Sequence, residues 1–303
     1  MSISANNSIS NSIQPCELCH SSLARHLFDT TDRLGISKAS FQIVLCETCG
    51  VWRTLPEMST AELAKFYPND YWGGEPTEAW IRVSQSDKTD FVNHCHLAGG
   101  RLLDVGCGAG FFLRTLPKTL WQTYGVELGE EAAKAATEVF GRDNIFKGTL
   151  IEAKFETSFF DVVTFWSALE HTNEPRASLF EARRILKTGG TLMIQVPNAA
   201  SYQAQYFKGD WFSLDAPRHR YHFNLQTLQK VLQETGYEIY FSTFHSKVHN
   251  AHALRQSLKA QLWHKSLPKR ATFLLSIPFL KPFDYFMSSL HKGATMTIAA
   301  RVL

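Results

Sequence analysis

The chain has 303 residues, 44% of them hydrophobic, and a formal net charge of +3 at pH 7. Such a chain can bury one full core and a small extra module, which places it among globular proteins and excludes a disordered one. Its first residues carry neither a basic start nor an apolar stretch, which excludes a secretory signal. We therefore expect a disordered tail over residues 1–14 and a cytoplasmic protein.

Two Cys-x-x-Cys pairs follow the tail, formed by Cys16 with Cys19 and by Cys46 with Cys49. In a cytosolic protein this spacing favours a structural zinc ion in a closed four-cysteine shell. A thioredoxin-like redox role is the alternative. We assign residues 15–75 to a zinc-binding module, a small zinc ribbon.

From residue 76 onward, apolar strand patterns alternate with helical ones. The predicted strands cover 101–105, 121–127, 145–147, 161–166, 191–197, 237–245 and 294–302. The predicted helices begin near 110 and cover 129–140, 176–187 and 225–235. This alternation predicts an α/β domain over 76–303, with a mostly parallel, doubly wound sheet covered by helices on both faces.

The turn after the first of these strands carries three closely spaced glycines, Gly106, Gly108 and Gly110, with Asp104 two residues ahead. Glycines let a ligand approach the backbone of such a turn. The spacing is not that of the dinucleotide fingerprint, and a carboxylate here would repel a pyrophosphate. Asp104 suits S-adenosylmethionine, which carries an ammonium and a sulfonium. Glu127 lies about 20 residues further on, where an acid that binds ribose hydroxyls is expected.

These features resemble class I S-adenosylmethionine-dependent methyltransferases. The resemblance rests on Asp-Val-Gly-Cys-Gly-Ala-Gly at 104–110, on Glu127, and on Phe-Trp-Ser-Ala-Leu-Glu-His at 165–171, and it covers about 85–303. It implies a Rossmann-like sheet of seven strands whose last strand is antiparallel. A bacterial subgroup with an N-terminal four-cysteine zinc-binding module is the most similar, through Phe-Tyr-Pro-Asn-Asp-Tyr-Trp at 66–72 and Leu-Asp-Ala-Pro-Arg-His-Arg-Tyr-His-Phe at 214–223.

The resemblance also implies roles for the residues that would surround the cofactor. The three glycines would lie against its methionine part, Asp104 would support the amino group, and Glu127 would hold the ribose. The remaining expected contacts are Leu128 on the adenine, Thr149 and Leu150 at its edge, and Trp166 near the sulfonium. Trp166 as a core residue is the alternative.

Two loops beyond the carboxyl ends of the strands face the methyl group that is transferred. The first holds Glu170 and His171, and the second holds the residues that we expect to bind the substrate, namely Asp215, Arg218, Tyr221 and His222, together with His219. A hydroxyl acceptor must lose a proton, for which histidine is suited. We place His219 first as the general base and His171 second. A His171 satisfied by backbone groups and an Arg218 exposed on a surface loop are the alternatives.

Residues 248–293 are too many for a simple connection between the last two strands, so we predict a helical insertion. Between Lys247 and Lys292, eight lysines and arginines stand against one acid, Asp284, beside apolar runs. This composition suits an anionic membrane surface or a lipid-linked substrate, a hypothesis that sedimentation with anionic vesicles would test. A dimer interface and a lid over the substrate pocket are the alternatives, and the oligomeric state stays open.

The predicted activity is methyl transfer to a sugar, a glycolipid or another small metabolite at a hydroxyl. The subgroup acts on such molecules, so a small-molecule or lipid-linked sugar is the expected partner, in the cytoplasm or at the inner face of the membrane. An RNA methyltransferase and a non-catalytic S-adenosylmethionine-binding protein are the rivals. Residues 15–75 carry eight acids and five bases, a balance that argues against a nucleic-acid partner.

Overall fold

The structure, a computed structural model, describes residues 14–68, 76–96, 98–264 and 277–303. Most of the expected tail therefore lies outside the described residues. So does the end of the expected module at 69–75, where we placed the boundary with the next domain.

Eleven strands and nine helices lie in the described residues. The strands are β1 (Ala24–Thr31), β2 (Ser40–Cys46), β3 (Trp52–Leu55), β4 (Gly100–Val105), β5 (Trp121–Glu127), β6 (Ile145–Lys147), β7 (Phe160–Trp166), β8 (Leu186–Pro197), β9 (Tyr221–His222), β10 (Tyr237–Thr243) and β11 (Thr295–Val302). The helices are α1 (Thr60–Ala64), α2 (Glu78–Ser84), α3 (Ser86–Cys95), α4 (Glu130–Phe140), α5 (Pro175–Ile185), α6 (Tyr202–Phe207), α7 (Leu225–Glu234), α8 (His249–His264) and α9 (Ile277–Ser289).

The larger sheet has seven strands in the order β10-β11-β8-β7-β4-β5-β6. Strands β4 to β8 pair in parallel, whereas β11 is antiparallel to both of its neighbours. Strands of the parallel part are buried on both faces, as Val162, Val163 and Phe165 of β7 show with no exposed surface. The predicted fold class, an α/β sheet with an antiparallel last strand, is confirmed.

Two predicted elements differ from the structure. The helix expected from about residue 110 is only a 3₁₀ turn at Leu113–Thr115, because Pro117 follows and cannot continue a helix. The helix expected over 176–187 ends at Ile185, and β8 begins directly afterwards, at Leu186. The pairing of β7 with β8 shifts between Phe160 and Val162, which accommodates the additional strand residues.

The N-terminal segment forms a second, four-stranded sheet in the order β1-β2-β3-β9. Its last strand, β9, comes from far along the chain and pairs antiparallel with β3, so that Trp52 faces His222 and Arg53 faces Tyr221. The Thr54 amide also donates to the Arg220 carbonyl at 3.0 Å. The N-terminal segment therefore shares a sheet with the loop in which we expect the acceptor site.

The predicted insertion between β10 and β11 contains α8 and α9, and residues 265–276 between them lie outside the described residues. Leu254 of α8 is buried with Phe207 and Trp211, so α8 packs against the region that precedes β9. Asn250 fixes the start of α8 by donating to the Phe244 carbonyl at 2.8 Å. Within the described ranges, no helix has the length and apolar character needed to cross a membrane.

Candidate functional site

The glycine loop after β4 takes a conformation that side chains disfavour. Gly106, Gly108 and Gly110 all have positive φ angles, of 74°, 55° and 75°. A Cβ on Gly106 would approach the Cβ of Ala168 to 2.8 Å, and one on Gly110 would approach the Phe140 ring to 2.6 Å. These positions require glycine, and the loop lies directly against the turn that follows β7.

Asp104 lies at the end of β4, buried between β5 and β7. The Thr164 hydroxyl donates to Asp104 Oδ1 at 2.7 Å. Burial raises the pKa of the Asp104 carboxyl to about 7, although Lys88 and Thr164 act in the opposite direction. A cationic group of a ligand that binds beside Asp104 would favour the charged form of this carboxyl.

Glu127 ends β5, the strand next to β4, and its carboxylate accepts two backbone hydrogen bonds. The Gly108 amide donates to Oε2 at 2.8 Å and the Gly129 amide donates to Oε1 at 2.7 Å. Burial raises the pKa of Glu127, while these amides counteract the rise. The two contacts join the glycine loop to the acid, and each carboxylate oxygen keeps a lone pair for a further donor.

The other residues expected around the cofactor differ in exposure. Leu128 is about half exposed, Leu150 is buried, and Thr149 is exposed and pairs with Glu152. Trp166 is buried with its ring against Phe91 and Phe112 at centroid distances of 6.1 and 5.4 Å. Trp166 therefore packs within the core, and its contact with the sulfonium stays a prediction.

Glu170 and His171, from the turn after β7, and His219, from the loop before β9, form a compact cluster. One ligand atom of each side chain lies within 4.8 Å of the others, and the two imidazole rings meet edge to face at 4.5 Å. Glu170 is fully buried, and neither of its carboxylate oxygens has a hydrogen-bond partner among the described residues. Burial raises the pKa of Glu170 to about 8, so this carboxyl is protonated at neutral pH.

Backbone carbonyls orient both imidazoles. His171 Nδ1 lies 3.0 Å from the Arg218 carbonyl and His219 Nδ1 lies 3.0 Å from the Ser213 carbonyl. Because a carbonyl only accepts, Nδ1 of His219 carries the hydrogen, which leaves its Nε2 with a lone pair. His171 Nδ1 also lies 3.0 Å from the Tyr67 hydroxyl, so its tautomer depends on whether it accepts from Tyr67 or donates to the Arg218 carbonyl. Burial lowers the pKa of both histidines, so they are neutral at pH 7.

Arg218 is completely buried and engaged with protein groups. Its guanidinium donates to Asp32 at 2.7 Å, to Asp215 at 2.7 Å and to the Phe66 carbonyl at 3.0 Å. Arg33 also pairs with Asp215. Burial alone would raise the pKa of Asp215, but His219, Arg218 and Arg33 together hold it well below its usual range. Arg218 thus links the N-terminal segment to the loop of His219, and it is not the exposed surface arginine that we considered as the alternative.

Tyr221 and His222, two further residues that we expect at the substrate, lie on β9 and are buried. The Tyr221 hydroxyl is 3.4 Å from the Asn173 carbonyl, and burial raises its pKa. His222 Nε2 lies 3.0 Å from the Thr54 hydroxyl, whose hydrogen goes to the His219 carbonyl at 2.7 Å. Thr54 therefore connects β3 with the backbone of His219.

The four cysteines come together at one end of the N-terminal sheet. Their sulfur atoms all lie within 4.8 Å of one another, with 3.8 Å between Cys16 and Cys49 and 3.5 Å between Cys19 and Cys46. Zn–S bonds of about 2.3 Å in a tetrahedron place sulfur atoms roughly 3.8 Å apart. All four are free thiols, so the donor set fits a structural zinc ion.

Several residues at the site carried no signal in the sequence. Lys88 of α3 acts electrostatically on Asp104, Asp87 and Glu170, and burial lowers the pKa of its ammonium. Burial and the charge of Lys88 lower the pKa of His249, at the start of α8, to about 4. Lys88 and His249 lie on helices far apart in the chain, so only the tertiary structure brings their charges together.

The comparisons with known proteins agree with this geometry. Residues 81–240, more than half of the chain, match the family described as a methyltransferase domain. The ubiquinone biosynthesis O-methyltransferase of Xanthomonas oryzae pv. oryzae (strain PXO99A) is 28% identical over 174 residues, which cover 54% of this chain and 72% of that protein. The protein of the same name from Azoarcus sp. (strain BH72) is 32% identical over 146 residues, 46% of this chain and 63% of that protein.

A solved structure of a SAM-dependent methyltransferase from Archaeoglobus fulgidus superposes with a TM-score of 0.50 at 17% identity, over 80% of this chain and 100% of that chain. A likeness at this identity concerns the fold, and it agrees with the seven-stranded sheet described above. The glycine loop, the two acids at neighbouring strand ends and the family match lead to one conclusion. The chain belongs to the methyltransferase-domain family and is a class I S-adenosylmethionine-dependent methyltransferase.

Proposed function

We propose that the chain transfers the methyl group of S-adenosylmethionine to a hydroxyl oxygen of a small-molecule acceptor, such as a sugar, a glycolipid or another metabolite. The cluster of Glu170, His171 and His219 is the observation that carries this proposal. It begins two residues after Ala168, whose Cβ lies against Gly106 of the cofactor loop. The relatives whose names describe O-methylation support an oxygen acceptor.

The chemistry requires alignment and the removal of one proton. The acceptor oxygen attacks the methyl carbon, the carbon–sulfur bond breaks, and S-adenosylhomocysteine leaves as a neutral thioether. We assign the acceptor proton to His219 Nε2, which is unprotonated at neutral pH and lies 3.9 Å from Asp215 Oδ2. The Asp215 carboxylate then stabilises the imidazolium that forms. His171 is the second choice for this role.

For the donor, we propose that Asp104 pairs with the ammonium of its methionine part and that Glu127 binds the ribose hydroxyls. Lys88 supplies a positive charge in the same cleft, since it interacts with both Asp104 and Glu170. The carboxylate of the methionine part is the group that such a cation would bind. Leu128, Thr149 and Leu150 remain proposed contacts of the adenine.

Cofactor affinity should depend on pH through Asp104. Because the pKa of this carboxyl is raised to about 7, it carries its charge above pH 7 and loses it as the pH falls below 7. We expect the dissociation constant for S-adenosylmethionine, measured by calorimetric titration, to rise by about tenfold between pH 8 and pH 6. Asp104→Asn should bind weakly at both values. A wild-type profile in Asp104→Asn would contradict this role, and Glu238→Gln, a surface change on β10, is the control.

The role of His219 can be separated from folding and cofactor binding. His219→Asn should bind S-adenosylmethionine as the wild type does but lose methyl transfer by about 10²–10⁴-fold, because no lone pair is placed to take the acceptor proton. The assay measures S-adenosylhomocysteine released with a panel of hydroxylated acceptors, and His26→Asn on the module surface is the control. Unchanged turnover in His219→Asn, with loss in His171→Asn, would move the base to His171.

We also propose that Cys16, Cys19, Cys46 and Cys49 hold one structural zinc ion. Metal analysis of the purified chain should find about one zinc per chain, and Cys46→Ser should lose it together with several degrees of thermal stability. Cys95→Ser, which changes a half-buried thiol outside the cluster, should keep the metal. Equal zinc content in both variants would refute the assignment.

Contact with an anionic membrane surface stays a prediction. Four large apolar side chains near the end of the insertion are exposed, beside Lys281 and Lys292. They are Phe283, Tyr285 and Phe286 of α9 and Leu290, the residue that follows the helix. Aromatic side chains beside lysines are typical of surfaces that meet the headgroup region of a bilayer. Vesicle sedimentation decides the matter, since no binding to anionic vesicles would remove the hypothesis.

A further inference from the structure

Two cationic side chains, Arg255 and Lys259, and one imidazole, His252, lie along α8, which packs against the segment before β9. His252, Arg255 and Lys259 are spaced by three and four residues, which places them on one face of the helix. All three are partly exposed. Burial lowers the pKa of His252, and the positive charges of Arg255, Lys259 and Arg33 lower it further. Arg33 therefore approaches this face from the loop after β1.

Phe212 forms the floor between these two elements. The Arg33 guanidinium lies 4.5 Å from the centroid of the Phe212 ring, and the His252 ring meets it edge to face at 5.5 Å. The next residue, Ser213, accepts the hydrogen bond of His219 Nδ1 at 3.0 Å. Arg33, Phe212, His252, Arg255 and Lys259 thus lie together next to the backbone that orients the proposed general base, and we call this group the basic crevice.

The cations of the crevice are not balanced by acids. Among the described residues, neither Arg255 nor Lys259 forms an ion pair, and the buried Nε of Arg255 has no hydrogen-bond partner. Asp215, the nearby carboxylate, is already shared by Arg33 and Arg218. Two partly exposed cationic side chains without carboxylate partners favour the binding of an anion.

We propose that the basic crevice binds an anionic group of the methyl acceptor, a phosphate or a carboxylate, and thereby directs the acceptor hydroxyl toward His219. The role of the anion in catalysis rests on the proposed function. The test does not, because it measures anion binding alone. Guanidinium and ammonium groups form strong, charge-assisted hydrogen bonds with either kind of anion. Because Arg33 belongs to the N-terminal segment, both halves of the chain would select the acceptor.

The geometry also explains why the crevice and the reacting centre are coupled. Arg33 pairs with the same Asp215 carboxylate that lies 3.9 Å from His219 Nε2. An acceptor that carries an anion and a hydroxyl a few bonds apart can therefore occupy both places at once. An acceptor without the anion would be held only by the cluster around His219, and we expect it to be a poorer substrate.

Calorimetric titration of the full chain, in the presence of S-adenosylhomocysteine and about 0.15 M salt, tests the crevice with inorganic phosphate, pyrophosphate and succinate as probes. Arg255→Gln and Lys259→Gln should each raise the dissociation constant of the bound probe by about tenfold. Lys230→Gln, an exposed cation on α7, should change it by less than about twofold. Preference for the phosphates or for succinate tells which kind of anion the basic crevice accepts.

Two results would overturn the proposal, namely no binding by any of the three probes, or an equal loss of binding in Lys230→Gln. Thermal melting of each variant identifies a folding defect. Because Arg255→Gln and Lys259→Gln lie on different turns of α8, a defect in one of them leaves the other as a valid test. His219→Asn should keep its affinity for the probe. A failure of methyl transfer with intact probe binding would thus count against the proposed function and leave the crevice in place.

Discussion

The buried guanidinium of Arg218 holds the two halves of the molecule together. It lies with no exposed surface between Asp32 of the N-terminal segment and Asp215 of the loop that carries His219. A buried charge persists only when its partners are in place, and the loss of one partner typically costs about 3–5 kcal/mol. The N-terminal sheet and the acceptor loop therefore stabilise each other through this residue. Strand β9, which completes the N-terminal sheet, extends the same connection to Tyr221 and His222.

The cofactor residues and the acceptor residues of the site come from different parts of the fold. The seven-stranded sheet places Asp104 and Glu127 at neighbouring strand ends and the glycine loop between them. The acceptor side is assembled from loops, with His171 after β7 and His219 before β9, and each imidazole is oriented by a backbone carbonyl. The four cysteines lie at one end of the N-terminal sheet, and β9 of that sheet directly follows the loop of His219.

The sequence alone predicts the features that depend on residues close together in the chain, namely the strands and the glycine loop. Alternating apolar runs predicted the strands, and positive φ angles explain why glycines mark the loop at 106–110. It missed what depends on tertiary packing. The sequence places Arg218 and His219 in one loop, but it does not reveal that Asp32 binds Arg218 or that Thr54 binds the His219 carbonyl in the interior. Lys88, Arg33 and the cationic face of α8 reach the cleft from segments far apart in the chain, which no spacing could reveal.

Hydrogen exchange of the Asp32→Asn variant tests most directly whether the two halves depend on each other. If Arg218 couples them, amides of residues 215–223 should lose protection together with those of the N-terminal sheet, while β4 and β5 keep theirs. Asp29→Asn, at an exposed position of β1, should leave all of these amides protected. Lost protection confined to the residues around Asp32, with 215–223 unchanged, would contradict the account.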